Sequence, residues 1–246
     1  MKVNTNSNTY IIIYSVVMVV VVAVLLSLAA LGLKSRQDAN ILNEKQTQIV
    51  KALGEDPAAV AYNDVIEKAV LLDASGAVVS EDTDAVFAAL NDLKGSFAAG
   101  QYPLFIATSG VVVPLYGAGL WGPIWGYVAL DTDMNTVKGI VLDHAGETPG
   151  LGAEITTPKH QQMYIGKTVY EGEELVGVTL KKGGADKSNP HEVDAITGGT
   201  KTSDGVSAMI KDCLNYYNPY FSASRAAVEA APVAVEEQAE SNTLNE

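Results

Sequence analysis

Between Tyr10 and Leu33 the chain carries 24 consecutive residues without a charge, mostly Val, Ile, Leu and Ala. As a helix rising about 1.5 Å per residue, this run reaches roughly 36 Å, more than the ~30 Å hydrocarbon core of a bilayer. It is longer than the apolar stretch of a secretory signal, and Gly32-Leu33-Lys34-Ser35 is a poor cleavage site. The run therefore reads as a retained single-span anchor. Residues 1–9 precede it, 34–60 form a juxtamembrane helix or stalk, 61–225 hold the main domain, and 226–246 form a tail. Lys2 stands on one side of the anchor, and Lys34, Arg36, Lys45 and Lys51 on the other. By the positive-inside rule that count leans toward a cytoplasmic main domain.

The remainder is acidic. A net charge of −13 repels phosphate backbones and argues against nucleic acid as a partner. With Cys213 as its only cysteine, the chain cannot build an internal disulfide or a thiolate-held zinc or iron–sulfur site by itself.

Hydrophobic spacing sets the elements. Asp38 to Leu53 reads as an amphipathic helix ended by Gly54. Ala69–Asp73 and Ala77–Val79 flank a small hairpin turn. Val86, Leu90 and Leu93 follow a helix cap at Asp82 or Thr83. Strands are expected at Leu104–Val113, Ile124–Leu130, Val137–Leu142, Thr168–Tyr170 and Leu175–Leu180, with Asp131–Asn135 as a hairpin loop. The last helix is expected from Asp204 to Tyr217, with Val206, Met209, Ile210, Cys213 and Leu214 on one stripe and Pro219 just beyond. The Ala/Glu-rich segment from Ala226 reads as a solvated, disordered tail. The class is α+β, a mostly antiparallel sheet with packed helices behind one transmembrane helix.

The segment Asp194-Ala-Ile-Thr-Gly-Gly-Thr-Lys-Thr-Ser203 stands directly before the final helix. The first N–H groups of a helix lack internal acceptors and lie at the positive end of its dipole, so a phosphate is favoured there. Gly198 and Gly199 clear space beside Thr200. Local physics alone also allows a plain hydroxyl cap at Thr202 or Ser203. A second segment, His144-Ala-Gly-Glu-Thr-Pro-Gly-Leu-Gly-Ala-Glu154, contains a tight Pro-Gly turn.

Asp194, Thr197, Gly198, Gly199, Thr200 and Thr202 match D-x-x-[ST]-G-[AG]-[ST]-x-[ST], which resembles the flavinylation motif of the FMN-binding domain family. Glu147-Thr-Pro-Gly-Leu-Gly152 resembles that family's flavin-contacting loop. Gly117–Tyr127, Ala129–Asp131, Asn135–Ile140 and the juxtamembrane Lys34…Gln37…Ala39-Asn40 are similar to the C-subunit family of sodium-translocating NADH:quinone oxidoreductases. The one departure is Gly199 where Ala is common.

The resemblance implies FMN joined through its phosphate to Thr200 by a dedicated FMN transferase, with Asp194 read by that transferase. It implies flavin contacts from Glu147, Thr148, Gly150, Leu151 and Gly152, from Thr197, Gly198 and Gly199, and from Trp121 and Lys182. Trp121 also reads as a core aromatic, and Lys182 as a surface lysine. The implied partners are the other members of an assembly of six subunits, above all the FMN-carrying B subunit and the membrane D and E subunits. The implied activity is electron relay that couples NADH oxidation and quinone reduction to sodium export, with the main domain outside the cytoplasm at the bacterial inner membrane. The lysine count points the other way.

No catalytic base and no metal ligand set are expected. No G-x-G-x-x-G follows a strand, so the chain offers no NADH site of its own. The G subunit of Rnf-type electron transport complexes shares both motifs and is the nearest alternative, followed by a cofactor-free anchored binding domain. A Ser/His/Asp hydrolase using Ser203 or Ser109 with His144, His160 or His191 lacks a nucleophile elbow.

Overall fold

The computed structural model describes residues 7–230, and the chain parts into two compact units between Gln46 and Thr47. Helix α1, Asn8–Ala52, starts where Ser7 Oγ accepts the Tyr10 N–H at 3.2 Å. Its apolar stretch has a mean hydropathy of 3.1 and none of it is buried by protein. A helix that is apolar all round and uncovered suits lipid rather than water, and this one is long enough to span a bilayer. Of the expected juxtamembrane segment 34–60, residues up to Ala52 are helical.

The second unit begins with the end of α1, where Ile49, Val50 and Ala52 are buried, and a short helix α2, Tyr62–Val65. Strands β1 (Ile66–Leu72), β2 (Val78–Ser80), β3 (Tyr102–Ala107), β4 (Gly110–Ala118), β5 (Pro123–Leu130) and β6 (Val137–His144) form a single sheet in the order β2-β1-β3-β4-β5-β6. Every neighbouring pair in it is antiparallel. Helices α3 (Thr83–Asn91) and α4 (Leu93–Ala98) link β2 to β3. Beyond β6 come a short helix α5 (Pro158–Gln161), a hairpin of β7 (Tyr170–Glu171) and β8 (Glu174–Leu175), and a parallel pair of β9 (Thr179–Lys181) and β10 (Glu192–Asp194). Helix α6, Thr200–Ala230, closes the domain. The expected α+β class with a mostly antiparallel sheet is what the chain adopts.

Alternation along the strands feeds two apolar layers. Val113, Leu115, Ile124, Val128 and Leu142 pack with Val206, Met209, Ile210, Cys213, Leu214, Tyr217 and Phe221 of α6. On the other face, Leu71, Phe105, Val112 and Tyr127 pack with Val86 and Leu90 of α3 and with Ile49 and Leu53. Cys213 is buried, its thiol pushed up to about 12 by that burial, and Sγ donates to Tyr116 O at 3.4 Å. It is a core contact, as its place on the apolar stripe indicated.

Several boundaries differ from expectation. Leu104–Val113 is not one strand. Ala107 pairs with Gly110 across a two-residue turn at Thr108-Ser109, and Gly110 takes φ 137°. Thr and Ser are common in strands, so the turn was hidden. Thr168–Tyr170 is an isolated bridge from Thr168 to Thr136 followed by β7. Leu175–Leu180 divides at Gly177, whose φ is +70°. Asp82 is the cap of α3, its carboxylate accepting the Asp84 N–H at 3.1 Å.

Helix α6 begins at Thr200 rather than Asp204, because Gly199 O accepts the Ser203 N–H at 2.9 Å. It also runs past Pro219 and past Ala226 to Ala230, while residues 231–246 of the expected tail lie outside the described residues. An interior proline costs a helix about 3 kcal/mol. Here, burial of Tyr217 and Phe221 on either side of it offsets that cost.

Candidate functional site

Two glycine turns make the site. In the first, Leu151 N–H donates to Thr148 O at 3.1 Å and Gly150 adopts φ +74°. Pro149 presets the first corner and Gly150 supplies the left-handed second one, the sequence signature of a type II turn. In the second, Gly199 N–H donates to Ile196 O at 3.0 Å and Gly198 adopts φ +75°. The second turn delivers the chain directly into α6.

The two turns meet. A Cβ on Gly198 would lie 2.6 Å from Leu151 Cδ2, and one on Gly152 would run into Glu147 Oε2 and Thr202 Oγ1. The tie between them is a hydrogen bond from Thr202 Oγ1 to Glu147 Oε2 at 2.6 Å. Glu147 and Thr202 are 5% and 1% exposed. Glu147 Oε1 accepts the Trp121 N–H at 2.9 Å, and the Glu147 N–H donates to His144 Nδ1 at 3.2 Å. Burial pushes the Glu147 carboxyl up, but the hydrogen bonds from Thr202 and from the Trp121 and Leu120 N–H groups, with the nearby His144, outweigh it, and the net shift is downward. A carboxylate next to the first turn of α6 also lies at the favourable end of the helix dipole.

Thr197 and Thr200 are exposed, whereas Thr202 and Ser203 are buried and engaged. Ser203 Oγ accepts the Ile196 N–H at 3.1 Å, which holds the turn onto the helix. The N–H groups of Thr200, Lys201 and Thr202 form the first turn of α6 and have no acceptor within it. Neither Thr202 nor Ser203 is the cap: both stand inside the helix, which starts at Thr200, and their hydroxyls reach back to Glu147 and Ile196, while Thr200 is the helix's exposed first residue.

Asp194 ends β10, opposite Lys181 of β9. Its Oδ1 accepts the Ala185 N–H at 2.7 Å and so orders the loop through Gly183 and Gly184. Lys182 is exposed at the same end of this parallel pair. Trp121 and Leu120 are 69% and 54% exposed, and Leu151 is 42% exposed. Trp121 is therefore not a core aromatic; only its backbone is held. Gly119 lets this happen, since a Cβ there would strike Glu147 Oε1.

The three histidines do not assemble with a serine. His144 accepts from Glu147, His160 meets Tyr164 OH at 3.1 Å, and His191 meets Thr168. Burial drives the His160 imidazole down to about 4. Among the described residues no cluster of three His, Cys, Asp or Glu could hold a metal.

The profile of the FMN-binding domain matches residues 119–215, which contain both turns. The C subunit of the Na(+)-translocating NADH-quinone reductase from Yersinia pestis is 32% identical over 220 residues, spanning 78% of this chain and 82% of that one. The chain belongs to this C-subunit family. The corresponding Vibrio parahaemolyticus protein is 30% identical over 215 residues, covering 76% of this chain and 82% of its own. The crystal structure of the Parabacteroides distasonis C subunit superposes with a TM-score of 0.70 at 36% identity, over 77% of this chain and 96% of that one.

Sequence reasoning missed one element of the site that this family membership frames. Thr202 was legible only as a motif position or a cap, and nothing in the spacing of residues 55 apart indicated that it binds Glu147.

Proposed function

We propose that this protein relays electrons through an FMN held by a phosphoester on Thr200. The observation that carries this reading is the junction of the two turns, which leaves Thr200 exposed at the start of α6, with exposed Trp121 and Leu151 on the segments that Glu147 and Gly198 join to that start. The residues present suit the cofactor. Orphan N–H donors and the helix dipole favour a phosphate, Lys182 adds a cation, and the exposed apolar side chains offer faces for a flat ring.

FMN, when bound, supplies one- and two-electron redox chemistry. The chain positions it. Thr200 Oγ would hold the FMN through its phosphate, giving up its proton as it takes the phosphorus from the phosphoanhydride of a flavin dinucleotide donor, whose nucleoside monophosphate half would leave. Thr148, Gly150, Leu151 and Gly152 form one wall, Thr197, Gly198 and Gly199 the other, with Glu147 braced between them. Asp194, in ordering the loop that carries Lys182, shapes the surface that the transferase reads. A permanent bond fixes the distance of the ring from its redox partners, here taken as the FMN-carrying B subunit and the membrane D and E subunits. On this reading α1 anchors the domain to the outer face of the inner membrane, and electron flow from NADH to quinone drives sodium export by the whole complex.

Denaturing gels test the assignment. Full chain made with a flavin transferase is expected to give a fluorescent band that Thr200→Ala abolishes. A dark wild-type band of unmodified mass would favour the cofactor-free anchored domain instead.

A further inference from the structure

We propose that Glu147 and Thr202 are a positioning pair that sets the Thr200 hydroxyl for attachment, an inference resting on the reading above. Thr202 is buried, so it cannot itself be the modified residue. It is nevertheless a hydroxyl rather than an alkyl group, and its Oγ1 donates a hydrogen bond to Glu147 Oε2. A buried hydroxyl so placed needs its acceptor, and a buried carboxylate needs its donors. The satisfied arrangement ties three otherwise independent segments together: the Leu120-Trp121 loop, the 147–152 turn and the first turn of α6.

Thr202 lies two residues beyond Thr200 on the same helical turn. Fixing it fixes the rotation and the depth of that turn against Leu151 and Gly152, where there is no room for adjustment. Thr197, in the preceding turn, also shows an exposed hydroxyl to any transferase. The pair thus makes one of two exposed hydroxyls the modified one, by holding Thr200 at a set place relative to the 147–152 wall. Group transfer depends steeply on such placement.

The test compares full-length wild type, Thr202→Val, Thr202→Ser and Glu147→Gln, each incubated with transferase and flavin dinucleotide. Attached flavin on the Ser188–Lys201 peptide is followed by mass spectrometry, and amide hydrogen exchange is read in parallel. Attachment to Thr202→Val is expected to slow by about ten-fold or more, while Thr202→Ser stays within about two-fold of wild type. Glu147→Gln, which keeps the shape and a weaker tie, is expected to fall between them. Exchange is expected to rise at residues 196–203 of Thr202→Val and not in the β4–β5 core, and flavin to spread to Thr197. Should Thr202→Val fail to fold, wild-type rates in both Thr202→Ser and Glu147→Gln would still overturn the pairing role. If wild type is modified and Thr202→Val is modified at the same rate on Thr200 alone, the pair does not position that residue. A wild type left bare would overturn both this inference and the proposed function.

Discussion

The two ends of helix α6 are built by different rules. At its start, Thr200–Ser203, contact is made through glycines and one buried hydroxyl–carboxylate hydrogen bond, and the outermost side chain is left free of the fold. At its far end, contact is made by bulk. Tyr217 and Phe221 are fully buried, Tyr170 OH donates to Asn218 Oδ1 at 2.6 Å, and the Arg225 guanidinium lies 4.3 Å over the Tyr170 ring. The first end uses its glycines for close backbone approach and gains precision; the second gains stability from buried area. A helix that must present one hydroxyl to solvent can do so at one end because the other end holds it in place.

Substitutions should separate the two ends. The largest effect is expected of Thr200→Ala, which should remove attached flavin altogether while shifting the melting temperature by no more than about 2 °C, since the residue is exposed and touches little. Gel fluorescence and calorimetry read the two quantities. At the far end Phe221→Ala should do the reverse. It should cost about 3–5 kcal/mol in denaturant unfolding and leave attachment to the folded fraction unchanged. An equal loss of attachment would break the comparison.

Gly152→Ala should cost about 1–3 kcal/mol by overpacking and also slow attachment, because its methyl meets Glu147 and Thr202 at once. Arg225→Ala, removing a cation–π contact and a bond to Gly172 O, should cost about 0.5–1 kcal/mol with no change in flavin content.

Acid should distinguish the ends as well. The Glu147 carboxyl is held below its ordinary value in the folded chain. Its contribution is therefore complete above the unfolded value of about 4.3 and is lost as pH falls through the lower folded value. Amide exchange at residues 196–203 should accelerate in that acid range before exchange around Tyr217, and Glu147→Gln should abolish the difference.

Much of this was legible in the chain. The anchor, the α+β class and the α6 stripe followed from apolar periods long enough to be unambiguous. Thr108-Ser109 was not legible, because a turn of two strand-compatible residues leaves no mark of its own. The helix start was placed at Asp204 because Thr202 or Ser203 read as a cap; that Gly199 supplies the first helical acceptor is a matter of backbone geometry. Trp121 shows the same limit. Its exposure depends on Gly119 admitting Glu147 Oε1 beneath the loop, a contact between segments far apart in sequence. Both glycine turns, by contrast, were readable, since Pro149-Gly150 and Gly198 carry their geometry in their residue types.

The central claim is a bond between the Thr200 oxygen and a flavin phosphate. Mass spectrometry of the Ser188–Lys201 peptide, from full-length protein made with a flavin transferase, tests it most directly. The account predicts the mass of the peptide plus FMN, less water, with fragment ions placing the addition on Thr200. A bare peptide, or an addition carried only by Thr197, would contradict it.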